Sequence, residues 1–154
     1  MANTERQGMT GCLTLELRRP DGGLVERRRV DNLITSAGRL LVAQLFAGEL
    51  TGPPELAIAV GGGATAPREQ DTALEQPLDR ASAAPRVSAA APGSLATVAA
   101  TLPPLAGGVT QLIQEAGILV NLPGRPAVLY NRVTFPTLTR TGNLEMTLTW
   151  EVTF

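Results

Sequence analysis

The end of this chain alternates without interruption. Leu144, Met146, Leu148, Trp150, Val152 and Phe154 are apolar, and the residues between them, Glu145, Thr147, Thr149, Glu151 and Thr153, are polar. Successive side chains of a strand point to opposite faces, so this run reads as a β-strand with one face buried and one wet. A slip of one residue would turn every apolar side chain outward, which fixes the register. The strand runs to the last residue, so the C-terminus is expected in a sheet. Leu13, Leu15 and Leu17 alternate with Thr14, Glu16 and Arg18 in the same way.

Turn chemistry follows this first strand at Pro20-Asp21-Gly22-Gly23, and Leu24 to Val30 returns as a second one. Arg27, Arg28 and Arg29 lie in that second strand. They alternate between faces, so they read as a guarded edge or a subunit contact rather than a stripe. A helix is expected next. Thr35 or Ser36 caps it, Ala37, Leu40, Leu41 and Leu45 recur at helical spacing, and Gly48 supplies the left-handed stop. Leu56 to Val60 is a short buried strand running into Gly61-Gly62-Gly63.

Residues 64–92 have no clear period and carry Pro67, Pro77, Pro85 and Pro92. They read as an extended loop or arm ordering on a neighbouring subunit, with short strands hidden around 86–90 as the alternative. Alternation resumes weakly over Leu95 to Leu102 and stops at Pro103-Pro104. Further strands are expected at Val109 to Gln114, Ala116 to Asn121, and Ala127 to Phe135. In the last of these Val133 and Phe135 share one face, with Arg132 and Thr134 on the other. Short strands, Gly/Pro turns and one helix near 36–47 give a mainly β chain, an antiparallel β-sandwich or barrel. The expected organisation is an N-terminal arm, 1–11, and a single β-rich domain, 12–154, carrying the arm at 64–92.

Composition narrows the chemistry. With 154 residues and 44% hydrophobic content, one core is possible, and the 3% aromatic content means Leu, Val, Ile and Ala must build it. The net charge is −1, and no broad nucleic-acid face is expected. There is no His, which removes His-dependent triads, bases and metal ligands. The single Cys, Cys12, forms no disulfide within the chain and reads as a small boundary residue rather than a nucleophile. Met1 to Gly11 is polar, with no apolar run of signal-peptide length. The longest apolar stretch, Leu40 to Ala47, is broken by Gln44 and is too short to span a membrane. Neither a membrane nor an export signal enters the expectation. The chain is expected to stay in a cytoplasm or leave by lysis.

The candidate motifs read mostly as structure. Gly61-Gly62-Gly63 lacks the Gly pattern and the Lys of phosphate loops, since Ala66 and Pro67 follow, and reads as a tight turn leaving a sheet. Glu69, Asp71, Glu75 and Asp79 match no calcium-loop spacing and read as solvated acids or partners of Arg68 and Arg80. Glu115, flanked by Ile113 and Gly117-Ile118-Leu119, reads as a buried carboxylate paired with Arg132 or Arg80. Gly38 and Gly117 read as positions set by backbone geometry. Paired-carboxylate glycosidase chemistry is not excluded by composition, but one Trp and one Tyr leave few sugar platforms. No catalytic residue, cofactor or metal is assigned, and the chain is expected not to be an enzyme.

The order of these motifs resembles a family of small bacteriophage virion proteins of the capsid-decoration, tail-fibre and minor-tail type. The matching blocks begin with Asn32-Leu33-Ile34-Thr35-Ser36-Ala37-Gly38, then Ile58-Ala59-Val60-Gly61-Gly62-Gly63-Ala64-Thr65-Ala66-Pro67, then Asp71-Thr72-Ala73-Leu74. Gln114-Glu115-Ala116-Gly117-Ile118-Leu119, Tyr130-Asn131-Arg132-Val133-Thr134-Phe135 and Leu148-Thr149-Trp150-Glu151-Val152 follow in order. Gly62-Gly63 stands where the family often has Thr-Gly, Arg140 where it has Lys, and 81–94 has no counterpart. The resemblance implies a non-enzymatic virion protein, foremost a multicopy capsid decoration or cement protein acting through arms and strand edges. The alternatives are a tail-fibre, baseplate or minor-tail adaptor and, from another class, a carbohydrate-binding module. The expected partners are major capsid or tail proteins and copies of the chain itself, a homo-oligomer such as a trimer. The expected place is the virion, assembled in a bacterial cytoplasm. Arg27, Arg28, Arg29, Arg68 and Arg80 are the expected interface residues.

Overall fold

The two alternating runs of leucine and its neighbours pair with each other. In the computed structural model, which describes residues 8–90 and 93–154, β1 (Thr10–Arg18) lies antiparallel to the C-terminal strand β10 (Glu145–Thr153). Leu13 stands opposite Trp150, Leu15 opposite Leu148 and Leu17 opposite Met146. On the other side of β10, β6 (Gly93–Leu102) sets Val98, Ala100 and Leu102 against Trp150, Leu148 and Met146. These three layers are buried and form the centre of the core. Each fully buried leucine contributes about 1.5–3 kcal/mol relative to exposure. The amide N–H of Phe154 still donates to Ser94 at 3.1 Å, so the chain end stays in the sheet.

The remaining elements are β2 (Leu24–Asp31), β3 (Leu33–Ile34), α1 (Ser36–Phe46), β4 (Glu55–Gly61), β5 (Pro77–Ala90), β7 (Thr110–Asn121), β8 (Val128–Leu129) and β9 (Asn131–Thr141). The sheet runs β2-β1-β10-β6-β5-β4-β7-β9-β3, with β8 beside β7. Its two end strands, β2 and β3, are joined through Asn32, so the chain itself carries the sheet from one edge to the other. Where β2 faces β9 without a ladder, Arg28 bridges the gap, donating to the carbonyl oxygens of Pro136 and Thr137. The result is an almost closed antiparallel β-barrel with one helix, the mainly β class expected.

The second corner is β5, and here the sequence reading needs correction. Residues 77–90 are not a loop or arm but one strand. Its first half pairs with β4 and its second, Ala84 to Ala90, with β6. The expectation allowed short strands within 64–92, around 86–90 for example. The strand escaped notice because its apolar residues are small and both faces are largely exposed. Its prolines sit where strands tolerate them. Pro77 is the first residue, and Pro85 turns its missing N–H away from β6. Thr10 and Gly11, expected in the N-terminal arm, belong to β1, and residues 1–7 of that arm lie outside the described residues. The two short strands expected at 109–114 and 116–121 are one strand, β7, with a register shift between Ile113 and Glu115. The strand expected at 127–135 divides at Tyr130 into β8 and β9, and β9 continues through Pro136 to Thr141.

Helix α1 closes one end of the barrel. Thr35 is its N-cap, accepting from the Gly38 N–H at 2.9 Å while its own hydroxyl donates to Leu129 at 2.6 Å. Gly48, at φ +71°, ends it, with the Glu49 N–H returning to Gln44 at 2.9 Å. Gly38 lets the helix sit directly on Tyr130, whose carbonyl oxygen occupies the space a Cβ would need. Gly117 is equally constrained, since a Cβ there would lie 2.6 Å from the Asn131 carbonyl oxygen.

Candidate assembly interface

The register shift in β7 sets Glu115 beneath the segment that follows β4. Its carboxylate is wholly buried and accepts four bonds. One oxygen takes the N–H of Gly63 at 3.0 Å and of Gln76 at 2.7 Å. The other takes the N–H of Glu75 at 3.0 Å and Nε of Arg132 at 2.8 Å. Arg132 then uses Nη1 on Asp71 at 3.1 Å and Nη2 on Glu75 at 3.4 Å. This knot pins residues 62–76 over the outer face of β4 and β7, where Leu74 packs with Ala59 and Leu129. These bonds make the cluster a clamp on the segment.

Of the two partners expected for Glu115, Arg132 is the one that pairs, and Arg80 is exposed and does not. Arg132 is buried, because the clamped segment covers the face of β9 that the alternation left open. Of the loop acids, Glu69 is exposed as expected, and the other three differ from expectation in their main partners. Asp71 and Glu75 serve Arg132, Asp79 serves the buried Arg140 at 2.9 Å, and Arg68 reaches Asp71 only at 3.9 Å. Thr65, through its hydroxyl and amide, holds the Glu75 carboxyl below the usual range, with Arg132 adding to the effect. Burial pushes the Tyr130 hydroxyl up to about 12 and raises the Cys12 thiol. Among the described residues, no three His, Cys, Asp or Glu side chains are placed to hold a metal ion.

Among the described residues, two surfaces are left without a neighbour. The first surrounds α1. Its inner face and the barrel end form an open apolar pocket of ≈ 200 Å³ lined by Leu41, Leu45, Leu50, Val98 and Phe154 among others, with Leu45 and Phe154 more than half exposed. Leu40, expected on the core-facing side of the helix, is 58% exposed on its outer side, and Phe46 is 96% exposed. The second surface is the free edge of β5. Ser94 turns its carbonyl to β10, so the alternate residues Leu95, Thr97 and Ala99 face β5. Their partners Ser88, Arg86 and Ala84 bond β6, which leaves the backbone groups of Pro85, Val87 and Ala89 pointing outward. Val87 is 80% exposed on that edge.

The expected interface arginines do not form one patch. Arg27, Arg28 and Arg29 are on β2, Arg80 is on β5, and β1, β10 and β6 lie between the two strands in the sheet. Arg68 is in the clamped segment. Arg28 is committed to β9, and Arg29 meets Glu151 at 3.5 Å. The apolar exterior of α1 was missed, although its composition showed it: the helix holds a single charged residue, Arg39. Fold and surface together define a helix-capped antiparallel β-barrel with buried ionic centres at Arg132 and Arg140 and, among the described residues, exposed apolar groups on α1 and an open backbone edge on β5. The chain matches no protein-family model, and no curated protein or solved structure shows significant similarity to it.

Proposed function

We propose that the chain is a non-enzymatic structural protein of a bacteriophage virion, present in many copies as a capsid decoration or cement protein. One observation carries the reading: α1 turns Leu40, Ala43, Phe46 and Ala47 to solvent, with Ser36 and Arg39 the polar residues on that side. Apolar side chains grouped on an exposed face mark an interaction site, so this helix is built to be covered by another chain. The free β5 edge adds a second place where a neighbour can bond. Many copies arrayed with symmetry turn individually weak contacts into a firm assembly. Such a protein is assembled in a bacterial cytoplasm and stays with the particle, its partners being shell proteins and its own copies.

Trp150 and Tyr130 are buried, so a carbohydrate-binding role would fall to Phe46 and Phe154 as stacking platforms. The test is quantitative mass spectrometry of purified particles, with heads separated from tails. A copy number comparable to that of the major shell protein, in the head fraction, supports the proposal. A few copies confined to tails would replace it with the adaptor role, and absence from particles would reject both.

A further inference from the structure

The outward side of α1 reads like half of a helix pair. At 100° per residue, Ser36, Arg39, Leu40, Ala43, Phe46 and Ala47 fall opposite the buried Gly38 and Leu41, and all six are exposed. Two alanines run along the middle of this face, where they allow a second helix to come close, and Leu40 and Phe46 flank them as large apolar side chains. The charges are arranged just as plainly. Arg39 lies near the start of the face, and Glu49 follows its far end. Both are exposed, and neither has an ion-pair partner among the described residues.

We propose that this face binds a second copy of the chain, the two α1 helices packing antiparallel across a two-fold axis at Ala43. In that arrangement Leu40 of one copy meets Phe46 and Ala47 of the other. Arg39 lies about 6 Å from the axis along the helix, given a rise of 1.5 Å per residue, and Glu49 lies just past the opposite end, where Gly48 turns the chain off the helix. Antiparallel packing therefore sets each arginine toward the end at which the other copy's glutamate lies, twice over. A parallel pair would set Arg39 against Arg39 with Phe46 against Phe46. The self-complementary charge order thus selects both the occupant and its direction.

The contact is small. An 11-residue helix is about 16 Å long, so the pair buries less than the roughly 800 Å² per partner of a standard stable interface. It therefore holds weakly between free chains and firmly where many copies are arrayed. This deepens the assembly reading and rests on it only in supposing that copies meet.

Sedimentation equilibrium of the full chain, from about 1 µM to about 500 µM, tests it over the affinity range of weak complexes. The wild type should dimerise within that range, and Phe46→Asp should abolish association without changing the thermal unfolding curve. Arg39→Glu and Glu49→Arg should each weaken it by about tenfold, because each reversal acts twice at rim contacts of modest strength. The double variant Arg39→Glu/Glu49→Arg should restore it. Ala43→Cys in a Cys12→Ser background should cross-link across the axis on oxidation. A monomer throughout, association indifferent to Phe46→Asp, or a double variant no better than the singles would each overturn the proposal. A chain that is monomeric alone yet abundant in particles refutes this contact and leaves the virion reading standing. A dimer absent from particles does the reverse.

Discussion

Replacing Glu115 with alanine removes the carboxylate on which residues 62–76 are hung. Three backbone N–H groups, the buried one of Gly63 and the part-buried ones of Glu75 and Gln76, lose their acceptor, and Arg132 keeps only Asp71 and Glu75. A buried donor left unpaired costs about 1–3 kcal/mol, and breaking one side of a buried ion pair costs about 3–5 kcal/mol. Water entering the vacated space recovers part of the loss, so about 4 kcal/mol is expected. A domain of this size loses about 2–4 °C of melting temperature per kcal/mol, giving a drop of about 8–16 °C by calorimetry. The loss is also local. Arg68 sits exposed in the clamped segment, so trypsin should cut there much faster in Glu115→Ala than in the wild type, at a temperature where both remain folded. A shift under about 3 °C with unchanged cleavage would show that the knot does not hold the segment, well short of what a buried pair is worth.

Three further outcomes follow from the same geometry. Gly38→Ala should destabilise the chain by about 2 kcal/mol or more in denaturant titration, because the added methyl meets the Tyr130 carbonyl and lifts α1 from the barrel. The Glu75 carboxyl is held low in the folded chain, so its stabilisation is present above the ordinary glutamate pKa of about 4.3 and is lost as pH falls through the lower folded value. In Thr65→Val the NMR titration midpoint of Glu75 should move up towards that ordinary value. Cys12, with its thiol pKa raised by burial, should react with a thiol reagent at about pH 8 more slowly than free cysteine, and catch up once the chain is unfolded.

The elements that sequence made legible are those whose two faces meet different surroundings. β1 and β10 alternate because one face meets the core and the other water, and Thr35 and Gly48 bracket α1 with the chemistry that helix ends require. β5 was hidden because it turns the corner between two halves of the barrel, and its small residues leave no contrast between faces. β7 looked like two strands because its bulge shifts the register to aim Glu115 under the clamped segment. That Glu115 would be buried and paired followed from its apolar neighbours. That Arg132 would also be buried did not, since the cover comes from a segment over 50 residues away in sequence. The expected interface arginines are dispersed, Arg27 to Arg29 on β2, Arg80 on β5 and Arg68 in the clamped segment. Charged residues draw attention to β2, whereas α1 declares itself by the charges it lacks.

Amide hydrogen exchange, compared between the free chain and intact particles, reads the assembly claim at the surface itself. The account predicts that the α1 amides, together with those of Val87 and Ala89 on the open edge of β5, exchange quickly in the free chain and at least about tenfold more slowly in the particle, as opening becomes costlier. Equal exchange at α1 and at that edge in both states would contradict it.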